Sequence, residues 1–197
     1  MAVSGLQARQ ILDAMAARAR GCATIDIDFS ATYENKRSGD KRSVVGTLKV
    51  KGDSYVLDAG DVVTYYDSEK VSVWQKKIGE FTISAHDEEA EGDMTPAKLF
   101  GAYDKGYRLR LLGEAKVGGA DCHEVDLYPT APQSPIMRIR LFVDKKTSLP
   151  RRFVQQLKLG EALVVDILRL TPDKPLSDSD FVFDAAAHAD VEVVDLR

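Results

Sequence analysis

Along most of the chain apolar and polar positions alternate with a period of two, and glycine, aspartate, serine and proline interrupt the alternation at short intervals. A period of two buries one face of a strand and wets the other, and such interruptions reverse the chain, so the pattern predicts consecutive short antiparallel strands. The stretch from Ser43 to Ile83 shows it best. Val44, Gly46, Leu48 and Val50 oppose Thr47, Lys49 and Lys51; Gly52 and Asp53 then turn the chain into Tyr55 and Leu57. Ala59, Gly60 and Asp61 break it before Val63 and Tyr65, and Asp67 and Ser68 break it before Val71 and Val73, which lead on to Gly79, Phe81 and Ile83. Upstream, Ile25, Ile27, Phe29, Ala31 and Tyr33 alternate with Thr24, Asp26, Asp28, Ser30 and Thr32. The polar run ENKRSGDKR, 34–42, follows as a charged hairpin tip whose usual role is a soluble turn, with contact to anionic lipid or a partner as the sharper reading.

The second half resumes with Tyr107, Leu109 and Leu111, then His123, Val125 and Leu127, then Met137, Ile139, Leu141 and Val143, then Phe153 and Leu157, then Leu163, Val165 and Ile167. Turns fall at Gly118 with Gly119, Pro129 to Pro135, Asp144 to Ser148, and Gly160. About eleven strands result, and an open antiparallel sheet of that size curls, closes or splits. Two helices are expected to cover it. Ser4 with Gln7 reads as a capping box, Ala8, Ile11, Leu12, Met15 and Ala19 form one stripe, and Gly21 reads as a left-handed stop, so the first helix is expected from about Gly5 to Arg20. Thr95 and Pro96 open a second, short helix through Leu99, Phe100 and Tyr103, ending near Gly106, whose apolar side must cover an apolar surface. The fold class expected is mainly β: a strongly curved, unclosed antiparallel half-barrel with an N-terminal and a mid-chain helix.

With 197 residues and 44% hydrophobic content the chain has material for one sizeable core, so a single domain over 1–197 is expected. A formal net charge of -4 argues against general nucleic-acid binding, which needs clustered Lys and Arg. No apolar run approaches the roughly 20 residues that span a bilayer, and MAVSGLQARQ contains no signal-peptide core, so the chain is either cytosolic or has had an export signal removed. Cys22 and Cys122 are expected as free, mostly buried thiols rather than a bridge.

Catalytic chemistry finds little support. His86, His123 and His188 are scattered without ligand spacing, and no nucleophile elbow, P-loop or paired-cysteine motif is present. His123 and Cys122 are adjacent in a strand and point to opposite faces. Asp26 and Asp28 share a wet face, where paired carboxylates are ordinarily solvated, and Trp74 reads as sheet or cavity packing. No enzyme activity, metal or cofactor is expected.

The order of segments carries a resemblance. A helix, a long first strand, GTLKVKGDSYVLD, EKVSVW, TPAKLF, HEVDLYP, MRIRLFVDKKTSLPRRF and a tail with DSDFVFD and VEVVDLR resemble the LolA family of periplasmic lipoprotein carriers, above all its Bacteroidetes-type branch. The resemblance spans nearly the whole chain and rests on the order of many weak motifs. It implies an unclosed barrel whose apolar cavity takes up lipoprotein acyl chains, a periplasmic location with the signal peptide removed, and transfer from an inner-membrane ABC transporter to an outer-membrane acceptor. No bond is made or broken in that role, which is that of a transport chaperone in outer-membrane biogenesis. One position departs from it: the better-known carriers place a gating arginine after the lysine of their VK segment, where this chain reads Val50, Lys51, Gly52. The pair that follows corresponds to Tyr55 and Leu57.

Each methylene removed from water contributes about 0.8 kcal/mol, so a dry, adaptable wall suffices to hold lipid. The expected wall comprises Tyr55, Leu57, Val71, Val73, Phe81 and Ile83 from the first half, with Leu99, Phe100 and Tyr103 from the lid. Leu141, Phe153, Val165 and Ile167 complete it from the second half. Arg138 and Arg140 share a strand face, either pairing with Glu124 and Asp126 or docking an acidic partner. The expected function is a monomeric carrier of lipoprotein or related lipid; the alternative is an envelope-stress sensor or protein-binding module on the same half-barrel.

Overall fold

A computed structural model describes residues 2–67, 69–85, 100 and 106–197. Among the described residues the helix α1 (Ala2–Arg20) precedes twelve strands: β1 (Thr24–Asn35), β2 (Lys41–Lys51), β3 (Ser54–Asp58), β4 (Val62–Tyr66), β5 (Lys70–Gln75), β6 (Glu80–Ala85), β7 (Tyr107–Val117), β8 (Ala120–Pro129), β9 (Ile136–Asp144), β10 (Pro150–Leu157), β11 (Glu161–Pro172) and β12 (Glu192–Asp195). They hydrogen-bond in the order β12-β6-β5-β4-β3-β2-β1-β11-β10-β9-β8-β7, an unclosed sheet with β12 and β7 as its edges. The strand beyond the expected eleven is β12, which joins β6 in parallel through Val193 opposite Phe81 and Asp195 opposite Ile83. The expected mid-chain helix lies outside the described residues except for Phe100, which is helical and buried.

The N-terminal helix differs from its expected detail. It begins at Ala2, before the anticipated cap. Ser4 therefore caps nothing: its hydroxyl donates to Leu111 O (2.9 Å) and accepts from Leu111 N (3.0 Å), meeting backbone groups of the edge strand β7. Gly21 ends the helix without a left-handed φ. Ala8, Leu12, Met15, Ala16 and Ala19 are buried as the stripe requires, while Ile11 stands at its margin. No helix among the described residues is long and apolar enough to cross a membrane.

The chain packs as two compact units. Unit 1 comprises Met1–Gly21, Ser30–Ser43 and Met94–Leu168, and unit 2 comprises Cys22–Phe29, Val44–Asp93 and Arg169–Arg197. In unit 1, α1 packs along β7, and the centre of the sheet buries the row Val125–Leu141–Phe153–Val165, four residues at most 2% exposed. In unit 2 the core holds Val56, Val63 and Phe181, with Tyr65, Trp74 and Leu176 packed against them.

Candidate functional site

Unit 2 contains an apolar sheet face assembled by hairpin register. Tyr55 lies opposite Val50 on β2 and Tyr66 on β4, and Val71 lies opposite Tyr66; the neighbouring row runs Leu48, Leu57, Thr64, Val73 and Thr82. Tyr55, Leu57, Val71 and Val73 therefore share one face, as the sequence pattern anticipates. The Tyr55 and Tyr66 rings stack with centroids 5.0 Å apart. Gly46 is required on this face, since a Cβ there would come within 2.6 Å of the Phe29 ring and 2.2 Å of Asp58 O. Leu57, Val71 and Val73 are only half-buried, so apolar surface remains open along the two rows.

Phe81 and Ile83 do not belong to that face. Trp74 pairs with Phe81 and Ser72 with Ile83, which puts both on the opposite side with Val56, Val63 and Tyr65. There the C-terminal segment lies over them. Phe183 stacks on Phe81 (centroids 4.1 Å, 13° between planes) and meets Trp74 edge-on at 5.3 Å; His188 lies 4.4 Å from the Trp74 ring. Two lysines of β2 fix this segment: Lys49 Nζ donates to Asp180 (2.8 Å), and Lys51 Nζ to Asp178 (2.6 Å). The Lys49 ammonium, then the Ser177 hydroxyl and N–H, hold the Asp180 carboxyl down at about 2. A cavity of about 220 Å3 remains between sheet and segment, bounded by Tyr65, Ser72, Phe81, Ile83, Phe181 and Phe183. Sequence reasoning missed this covering segment; its signal was the spacing Phe181–Val182–Phe183 beside a sheet face carrying Trp74 and Phe81.

Leu141, Phe153 and Val165, the second-half candidates, do share one row of unit 1. Their exposures of 0%, 2% and 2% leave no water-sized space against them, so they are packed on protein. Ile167 is buried as well. Leu99 and Tyr103 lie outside the described residues. A second cavity, about 330 Å3, sits in unit 1 under α1, lined by Gln7, Gln10, Ile11, His123, Asp144 and Lys145 among others. Asp144 is held there by Arg151 (2.8 Å) and by the N–H groups of Lys146 and Thr147.

Arg138 and Arg140 are engaged by β8. Asp126, 1% exposed, accepts two hydrogen bonds from Arg140 (2.6 and 2.9 Å), one from Arg138 (3.3 Å) and one from the Tyr128 hydroxyl (2.9 Å), while Arg140 also reaches Glu124. Burial works to raise the Asp126 carboxyl; the Arg140 and Tyr128 hydrogen bonds and the charges of Arg140 and Arg138 outweigh it and hold it below the ordinary range. Cys22 and Cys122 are both thiols, Cys122 fully buried and Cys22 half-buried.

Neither a protein-family model nor a curated protein sequence matches the chain. Solved structures do. An uncharacterised conserved protein from Thermus thermophilus is 12% identical, with 96% of this chain and 99% of that one aligned at a TM-score of 0.64. MucB is 18% identical, with 96% of this chain aligned to 66% of MucB at 0.52. A LolA superfamily protein from Nitrosomonas europaea is 13% identical, with 90% and 98% aligned at 0.49. At 12% and 18% identity, the likeness to the Thermus thermophilus protein and to MucB is one of fold alone.

Proposed function

We propose that the protein is a soluble periplasmic carrier, acting as one monomeric domain, that binds acyl chains of lipoproteins or related lipids and moves them from the inner to the outer membrane. The observation that supports this most is the apolar face on which Leu57, Val71 and Val73 are half-buried beside the buried Tyr55, continued by Leu48 and Val50, in a LolA-like fold. Burying about ten methylenes there would supply about 8 kcal/mol without a hydrogen bond. In this reading Leu141, Phe153, Val165 and Ile167 build the framework rather than touch cargo. Arg138 and Arg140 hold β9 to β8. An inner-membrane ABC transporter would load the carrier and an outer-membrane acceptor unload it, with no bond made or broken.

Native mass spectrometry of gently purified protein tests the reading. Co-purified fatty acid, phospholipid or lipopeptide is expected. An empty protein that takes up no fluorescent fatty acid but captures a segment of a membrane protein would instead establish the envelope-stress sensor.

A further inference from the structure

At one end of unit 1 two hairpin tips meet. The β1–β2 tip, residues 36–40, and the β10–β11 tip, residues 158–160, are joined by a hydrogen bond from Lys36 N to Gly160 O (3.1 Å). The side-chain stems lie alongside as well: a Cβ on Gly160 would meet Arg37 Cγ at 3.7 Å and Lys36 Cβ at 4.0 Å. The β10–β11 tip is tied in turn to the β8–β9 loop by Lys158 N to Pro135 O (2.9 Å) and Lys158 Nζ to Pro132 O (2.8 Å).

The chemistry of this end is unlike that of the sheet behind it. Across β8, β9, β10 and β11, arginines are neutralised by facing carboxylates, as in Arg140 with Asp126, Arg151 with Asp144 and Arg152 with Asp166. At the tips Lys36, Arg37, Lys41 and Arg42 are exposed and pair with no carboxylate among the described residues. Next to Gly160, at the apex of the β10–β11 hairpin, stands Leu159, a leucine 61% exposed, with Met137, 49% exposed, on the strand that follows the β8–β9 loop. A mostly exposed leucine at a hairpin apex costs free energy in water, and the cations on the adjoining tip match an anionic surface with an apolar interior. The carboxylates nearby in sequence, Glu34, Asp40 and Glu161, leave the five cations Lys36, Arg37, Lys41, Arg42 and Lys158 in excess.

We propose that this end of unit 1 is a membrane-contact edge: Leu159 enters the headgroup region of a bilayer while Lys36, Arg37, Lys41, Arg42 and Lys158 engage anionic phospholipid headgroups. An acidic protein fits less well, because an apex leucine needs an apolar pocket in such a partner and an acyl boundary in a membrane is apolar everywhere. The contact is built to be weak and salt-sensitive. One apolar side chain and a few charges hold a protein briefly at a surface, which suits a molecule that must leave again. The inference does not depend on the carrier reading, since a sensor would also gain from it.

Co-sedimentation of the full chain with phosphatidylcholine vesicles, with and without phosphatidylglycerol, is the test. Binding is expected only with phosphatidylglycerol and should weaken as salt rises. The double variant Lys36→Ser, Arg37→Ser should lose about 25-fold, at about five-fold per charge, and Leu159→Ser about ten-fold. Both variants should take up a fluorescent fatty acid in solution like the parent, which separates this proposal from the carrier reading. Equal binding to both vesicle types, unchanged binding by the variants, or binding to soluble polyglutamate but to no vesicle would each overturn the proposal.

Discussion

Gly52 occupies the place where the resemblance to LolA carriers puts a gating arginine, and the backbone explains the substitution. It is the first of two residues linking β2 to β3, with a φ of +57°, whereas Asp53 does not have a positive φ. A two-residue hairpin loop with a left-handed first residue is the type II′ turn, which takes glycine there. An arginine at this position would meet no steric neighbour, since no atom lies within 4 Å of where its Cβ would be; the obstacle is φ alone. Gly52→Arg is therefore expected to cost about 1 kcal/mol in unfolding free energy and to leave fatty-acid uptake unchanged. A variant with full stability and altered uptake would show that the gate can be rebuilt. Next to it Lys51 is occupied with Asp178 and Leu176 O, so the basic residues of this segment hold the C-terminal segment instead of a lid.

Among elements, the lesson lies in how hairpin turns carry a face from strand to strand. From β2 to β6 each antiparallel pairing joins an odd-numbered residue to an even-numbered one: Leu48 with Leu57, Leu57 with Thr64, Thr64 with Val73, Val73 with Thr82. Alternation within each strand was legible, and so were the turns, but extending the odd-numbered run Val71, Val73 into Phe81 and Ile83 crosses the sheet. The turn between Gln75 and Glu80, which pair, spans four residues, and an even turn exchanges parity. In unit 1 the central pairings join odd to odd, as Leu141 with Phe153 and Phe153 with Val165, so a run of odd-numbered positions stays on one face from strand to strand there. What no alternation could reveal was the cover: the parallel β12 and the Phe183 contact depend on pairing distant in sequence. The two faces should respond differently to truncation. Phe81→Ala is expected to cost about 3 kcal/mol of stability with fatty-acid affinity retained in the folded protein. Val73→Ala should cost less stability and weaken fatty-acid binding several-fold. Equal weakening of binding by both would refute the assignment of cargo to the Tyr55 face.

For the molecule as a whole, a net charge of -4 conceals extensive pairing, and that pairing governs behaviour in acid. The carboxyls of Asp28, Asp126, Asp144, Asp178, Asp180 and Asp195 all lie below the ordinary carboxylate range, Asp180 and Asp195 at about 2, with Arg or Lys partners at each. A carboxyl lowered by folding contributes stability that is complete above its unfolded value, near 3.9, and is lost as pH falls through the folded value. The urea midpoint should therefore hold from pH 7 to about 5 and fall most between about pH 4 and 2. Exposed pairs such as Asp195 with Arg197 add little individually, because solvent screens them. Asp126 carries more, being 1% exposed beneath two arginines. Removing its bidentate partner with Arg140→Ala should cost about 3 kcal/mol at pH 7. It also removes the interaction that lowers the Asp126 carboxyl most, so the acid-linked loss in the variant should be smaller and the gap to the parent should narrow as pH approaches 2. A gap as wide at pH 3 as at pH 7 would mean that Arg140 acts by packing, and that the ion pairs of the sheet do not set its stability in acid.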